Sequence, residues 1–155
     1  MSADEKLEQS GITLPPAPRP MGVYRPIVFV GDLAYISGHG PLLEDGSLIM
    51  GRLGETMDLE AGYAAARQTG LALLATLRNT LGTLDRVKRL VKTLGLVNCT
   101  ADFSEQPKVI NGCSELFADI FGPENGVAAR SALGTNALPG GIPVEIEMIV
   151  EIKGA

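Results

Sequence analysis

The chain has 155 residues, 45% of them hydrophobic and 20% charged, with a formal net charge of −5. That length fits one domain with its own core, and that composition argues against general disorder. The negative balance argues against a general nucleic-acid binder, which needs a positive footprint against phosphates; Arg86, Lys88, Arg89 and Lys92 are the one basic cluster.

Asp4 to Gln9 suits a short helix stopped by Gly11. Leu14 to Pro20 is rich in proline, which lacks the amide donor, so the segment reads as an extended arm over the surface. Residues 1–20 are thus an N-terminal extension to a single domain over 21–155. Val23 to Val30 reads as a first strand, with Pro26 marking an edge or a bulge. Gly31-Asp32 turns the chain into a second strand, Leu33 to Gly38, to make a hairpin. Glu44 to Ser47 is another turn. Asp58 is a suitable N-cap for a helix to about Leu81, with Tyr63, Ala66, Gly70, Leu73, Leu74, Leu77 and Leu81 near one face. Gly62 and Gly70 weaken its propensity and point to close packing on a sheet.

Val87 to Val97 has strand character. Ser104 can cap a second helix through about Phe121, whose apolar face holds Val109, Ile110, Cys113, Leu116, Phe117 and Ile120. Ala128 to Gly134 is a short strand. Val144 to Ile152 is the clearest strand, in which Val144, Ile146, Met148, Val150 and Ile152 alternate with Glu145, Glu147, Ile149 and Glu151. The order β-β-α-β-α-β-β predicts an α+β fold, a mixed sheet with two helices packed on one face. The other face needs a partner or a polar surface. Ile149 among glutamates suggests partial burial there, as in a homo-oligomer that packs sheets together.

Cys99 and Cys113 lack the CxxC spacing, and His39 is the only histidine, so neither a metal site nor a cofactor motif is expected. The first ten residues lack the apolar core of a signal peptide, and no run approaches the ~20 apolar residues that cross a bilayer. A cytoplasmic protein with no membrane partner is the expectation.

The last quarter of the chain carries the strongest chemical signal. Ala129-Arg130-Ser131-Ala132 opens one strand, Leu138-Pro139 follows, and Val144-Glu145-Ile146-Glu147 opens the next. An arginine fork matches a carboxylate, and a nearby glutamate could hold a water or pass a proton. Arg130 could equally form a structural ion pair with Glu145 or Glu147, and Glu145 could be a solvated face residue.

Together with Gly22-Val23-Tyr24, Ile36-Ser37-Gly38-His39, Asn111 and Leu116-Phe117, these segments span most of Met21 to Ile152. They resemble the reactive intermediate deaminase family (Rid, YjgF-like; also labelled endoribonuclease L-PSP). The resemblance implies a chorismate-mutase-like fold, a homotrimer with clefts between subunits, and hydrolysis of 2-imino acids of the 2-aminoacrylate or 2-iminobutyrate type to 2-keto acids and ammonia. It implies that Arg130 binds the substrate carboxylate, that Glu145 positions the water, and that Tyr24, Asn111, Ala132 and His39 line the site. Ala132 stands where many members carry cysteine and His39 where many carry glutamine, the pattern of a divergent branch. A non-catalytic protein binding a small carboxylate or keto acid is the alternative; the acidic charge gives the ribonuclease label no support.

Overall fold

The computed structural model describes residues 1–154. In chain order the elements are α1 (Ala3–Gln9), β1 (Ile27–Val30), β2 (Leu33–His39), α2 (Leu59–Leu81), β3 (Val87–Asn98), α3 (Gln106–Phe121), β4 (Ala129–Thr135) and β5 (Val144–Ile152). The strands form one five-stranded sheet in the order β1-β2-β5-β3-β4. Only β3 and β4 run parallel, joined by the crossover through α3. The long helices lie together on one face, giving the expected α+β layering.

Alternation along β5 fixes which face that is. Val144, Ile146, Met148, Val150 and Ile152 are buried beneath the helices, while Glu145, Glu147, Ile149 and Glu151 point to the opposite, open face. Helix α2 is capped by the Asp58 carboxylate on Ala61 N–H and ends at Gly82 in the left-handed conformation. Its glycines serve close packing, against α3 and Leu53 rather than the sheet the sequence suggests. A Cβ at Gly70 would meet Leu116 and Cys113 of α3, and one at Gly62 would meet Leu53 and Val109.

The register of β2 against β5 contains a bulge. Ile36 pairs with Met148 and His39 with Ile146, so Ser37 and Gly38 together oppose the single residue between those partners, Glu147. The extra residue resets the alternation, and both Ile36 and His39 face the helices.

Several boundaries differ from the sequence reading; α1 starts one residue earlier, at Ala3, and β2 and β3 each run one residue further, to His39 and Asn98. Strand β1 begins at Ile27 rather than Val23, and residues 21–24 form a bend. Pro26 cannot donate to a ladder; its carbonyl accepts from Ser37 N–H at 2.9 Å. Helix α3 begins one residue after Glu105, and Ser104 is not its cap. Pro107 in the first turn needs no amide partner, and Glu105 pairs with Lys108 instead. Strand β4 starts and ends one residue later than expected, at Ala129 and Thr135.

Helix α1 is tied into the body. Leu7 is only 2% exposed and belongs to the core. The Asp85 carboxylate accepts from Ala3 N–H at 2.7 Å and Asp4 N–H at 3.2 Å. The Asp4 carboxylate in turn accepts from the Thr83 hydroxyl and from Leu84 N–H. Each acidic side chain thus satisfies the free amides at the start of the other's helical turn. Truncation of Leu7 to alanine should cost about 2–5 kcal/mol through the cavity it leaves. Urea unfolding of Leu7→Ala checks this; an unchanged midpoint would mean that α1 is an accessory tail.

Candidate functional site

The site is built from the register upward. Arg130 on the edge strand β4 lies level with Thr93 of β3, which lies level with Met148 of β5. Thr93 and Met148 are 3% and 2% exposed beneath the helices, so Arg130 shares the helix face. Its Nη1 donates to Asn111 Oδ1 at 2.8 Å and to Ser114 Oγ at 3.1 Å. Asn111 and Ser114 sit three positions apart on α3 and therefore on one helical face.

Among the described residues, no carboxylate pairs with Arg130, and its Nε and Nη2 carry no protein partner. The half-buried guanidinium lines an open cleft of about 270 Å³ with Ser114, Leu90, Thr93, Met148 and the segment Gly126-Val127-Ala128. Two neutral acceptors orient the fork without neutralising it, and its free donors remain available to an anion.

Glu145 lies elsewhere. It is level with Leu96 and belongs to the open face, so the sheet separates it from Arg130 within one chain. Burial raises its carboxyl above the ordinary 4.5, and the charge of Glu147 raises it further. Its carboxyl rests against Gly38 in the bulge, where a Cβ would come within 2.9 Å of Glu145 Cδ.

The other expected residues divide between these places. Ala132 follows Arg130 on the same face, level with Gly95, and packs on the core. Tyr24 is 49% exposed in the 21–24 bend, and its hydroxyl accepts from Met21 N–H at 3.2 Å. His39 is 5% exposed under α2. Its Nδ1 lies 2.6 Å from the Ser37 carbonyl and its Nε2 lies 2.7 Å from Thr76 Oγ1. A carbonyl only accepts, so Nδ1 carries the proton and Nε2 accepts from the threonine hydroxyl. Burial lowers the pKa of His39 below 6.5, which favours this neutral form.

The structure therefore brings Arg130, Asn111 and Ala132 to one region of the helix face, and Glu145 to the open face beside Gly38. Sequence reasoning missed Ser114 and the part played by Gly38. The three-residue spacing from Asn111 to Ser114 is a helical signal that could have found the former.

Both cysteines are free and buried. Burial pushes the Cys113 thiol up to about 12, against the lowering effect of the Arg130 charge. Among the described residues, no three His, Cys, Asp or Glu side chains converge as a metal site, and no helix is long and apolar enough to cross a membrane. The basic cluster is spoken for. Lys88 and Arg89 grip Glu151 at 2.6 and 2.7 Å, Arg86 donates to the Gly154 carbonyl, and Lys92 donates to Ser131 Oγ.

On the open face, Val28, Tyr35, Ser37, Lys92, Leu94, Glu147 and Ile149 line a second groove of about 420 Å³. This mixed polar and apolar surface has no cover within one chain.

The chain belongs to the family described as YjgF/chorismate mutase-like, putative endoribonuclease, whose sequence pattern matches residues 4–145. It is similar to Protein TCP17 of Trypanosoma cruzi, with 40% identity over 147 residues, covering 95% of this chain and 92% of that protein. A solved structure described as a putative endoribonuclease from Shewanella oneidensis is 29% identical, with a TM-score of 0.93, over 98% of this chain and 100% of that one. The Rid-family protein YyfA of Yersinia pestis, described as of unknown function, is 28% identical, with a TM-score of 0.63, over 88% of this chain and 93% of that one. The backbone follows the Shewanella protein more closely than it follows YyfA.

The raised carboxyl of Glu145 has a stability consequence. Its folded-state pKa lies above the unfolded value, so the unfolded chain ionises first and stability falls as pH rises through the folded pKa. At neutral pH the ionised group therefore costs stability relative to a neutral isostere. Glu145→Gln should melt a few degrees higher than the wild type at pH 7, with the gap closing below about pH 4.5. Scanning calorimetry across that range checks the sign; a lower melting temperature at pH 7 would contradict the desolvation argument.

Proposed function

We propose that the protein hydrolyses small 2-imino acids to 2-keto acids and ammonia. The observation that carries this reading is the Arg130 fork, oriented by Asn111 and Ser114, which lines an open cleft with its Nε and Nη2 free of protein partners. Such a fork grips a carboxylate in two places and fixes the adjacent carbon. Imine hydrolysis then needs a directed water and a proton shuttle. Glu145 takes a proton from the water as its oxygen bonds to the imine carbon, and the proton passes to nitrogen to give a carbinolamine. The C–N bond then breaks, the nitrogen leaves as ammonia with its bonding pair and a further proton, and the hydroxyl loses its proton as the carbonyl forms. A carboxyl raised toward neutrality suits both directions of transfer.

Because Arg130 and Glu145 of one chain lie on opposite faces, this reading requires Glu145 of a neighbouring copy. A homotrimer that covers the open face and forms clefts between subunits supplies it. The exposed Val28, Tyr35 and Leu133, with half-buried Ile149, are the surface such packing removes from water. A lone chain retains the Arg130 cleft but not the carboxylate, and favours the second reading, a small-carboxylate binding protein without turnover. An RNA-cleaving reading gains nothing from the basic cluster, whose side chains are engaged within the chain.

Light scattering should find three chains per particle; a stable monomer overturns the shared site. In an assay that couples an amino-acid dehydratase to ammonia release, Arg130→Ala should lose at least about 100-fold in kcat/KM, and its affinity for 2-ketobutyrate with it. Glu145→Gln should lower kcat by about 100-fold or more while leaving 2-ketobutyrate binding within a few-fold. If the wild type binds 2-ketobutyrate but leaves ammonia release at the uncatalysed rate, the binding reading replaces the hydrolase.

A further inference from the structure

The bulge in β2 has an unusual construction. Gly38 is not among the glycines with positive φ, so its backbone does not require glycine. What does require it is space. A Cβ there would lie 2.9 Å from Glu145 Cδ and 3.0 Å from both Cγ and Oε2. The carboxyl of Glu145 is thus seated directly on the Gly38 backbone.

The bulge is fixed from three directions. Ser37 N–H donates to the Pro26 carbonyl at 2.9 Å, and Ser37 Oγ donates to the Arg25 carbonyl at 2.6 Å. From beneath, His39 Nδ1–H donates to the Ser37 carbonyl while Nε2 holds Thr76 of α2. The histidine is therefore a brace between the helix layer and the bulge. Its imidazole supplies one donor and one acceptor at fixed separation, and burial limits its motion.

We propose that Gly38 and His39 are positioning residues for Glu145, with His39 pinning the Ser37-Gly38 bulge to α2 and the bulge seating the carboxyl. The functional part of this inference rests on the reading of Glu145 as the water-directing group. The mechanical part, that the seat controls the carboxyl, stands on the geometry alone. Neither residue needs to touch the substrate. A displacement of the carboxyl by about 1 Å is enough to cost about 100-fold in rate where a water must be aimed.

The test uses three variants of the full chain and two readouts. Gly38→Ala adds the obstructing methyl without backbone strain. His39→Leu removes the brace. His39→Gln keeps a donor and an acceptor and serves as the rescue. The first readout is the 13C titration of the Glu145 carboxyl by NMR. The other titratable groups on its face, Glu147, Glu151 with its partners Lys88 and Arg89, Lys92 and Tyr35, are retained in every variant.

The midpoint should move down toward the ordinary 4.5 in Gly38→Ala and His39→Leu, and stay at the wild-type value in His39→Gln. The second readout is imine hydrolysis, where Gly38→Ala should lose about 100-fold in kcat with KM within a few-fold, because the Arg130 that grips the substrate carboxylate is oriented by Asn111 and Ser114 and not by the bulge. Wild-type Glu145 titration in Gly38→Ala overturns the proposal, and that variant answers the question even if His39→Leu fails to fold. Shifted midpoints in a protein whose wild type proves inactive on imines uphold the seat and remove the hydrolase reading instead.

Discussion

Strand parity is the constraint on which the account depends. Side chains on β4 and β5 alternate between two faces, and the ladder through β3 fixes the phase of both. Arg130 falls in phase with the buried Thr93 and Met148, whereas Glu145 falls in phase with the open-face glutamates. A slip of one residue in the β3–β4 ladder would turn Arg130 to the open face, and one in the β3–β5 ladder would bury the glutamates of β5 against α2 and α3. The apolar alternation of β5 forbids that slip. The same residues that make the core therefore place the cation and the carboxylate on opposite sides of one sheet, so the proposed shared site requires a second copy.

The two halves of the site are held by different physics. Arg130 is oriented by neutral acceptors on α3, which leave its charge intact and directed at a cleft. Glu145 is held by shape and partial desolvation, against a glycine in a bulge, with Glu147 on the same side. This second arrangement opposes stability at neutral pH and favours a carboxyl able to exchange protons. The stabilising counterweights lie on the helix side, where His39 sits neutral between Ser37 and Thr76 and the bulge is anchored.

Much of the fold was legible in the chain. The alternation from Val144 to Ile152, the Asp58 cap and the apolar stripe of α3 are local signals, and each survives in the structure. The bulge was not legible. Ile36-Ser37-Gly38-His39 reads as a plain strand end, and only its pairing with Met148 and Ile146 reveals the extra residue. That one residue places His39, which the resemblance puts in the lining of the site, beneath α2. Arg130 and Glu145 were recognisable as a pattern, yet sequence spacing across a turn could not say that they face apart. The role of Ser114 depends on α3 lying over β4, and the docking of α1 depends on Asp85 far along the chain; both are contacts without local sequence signals.

The proposed site turns on Arg130 presenting its free guanidinium donors to a small organic acid. The most direct measurement is a titration of the arginine side-chain Nε–H resonances with 2-ketobutyrate, with Arg130 assigned by its loss in Arg130→Lys. The account predicts a saturable shift at Arg130 alone, with the other arginines unmoved. An Arg130 resonance that stays fixed while 2-ketobutyrate reaches saturation, or that moves no more than surface arginines do, contradicts it.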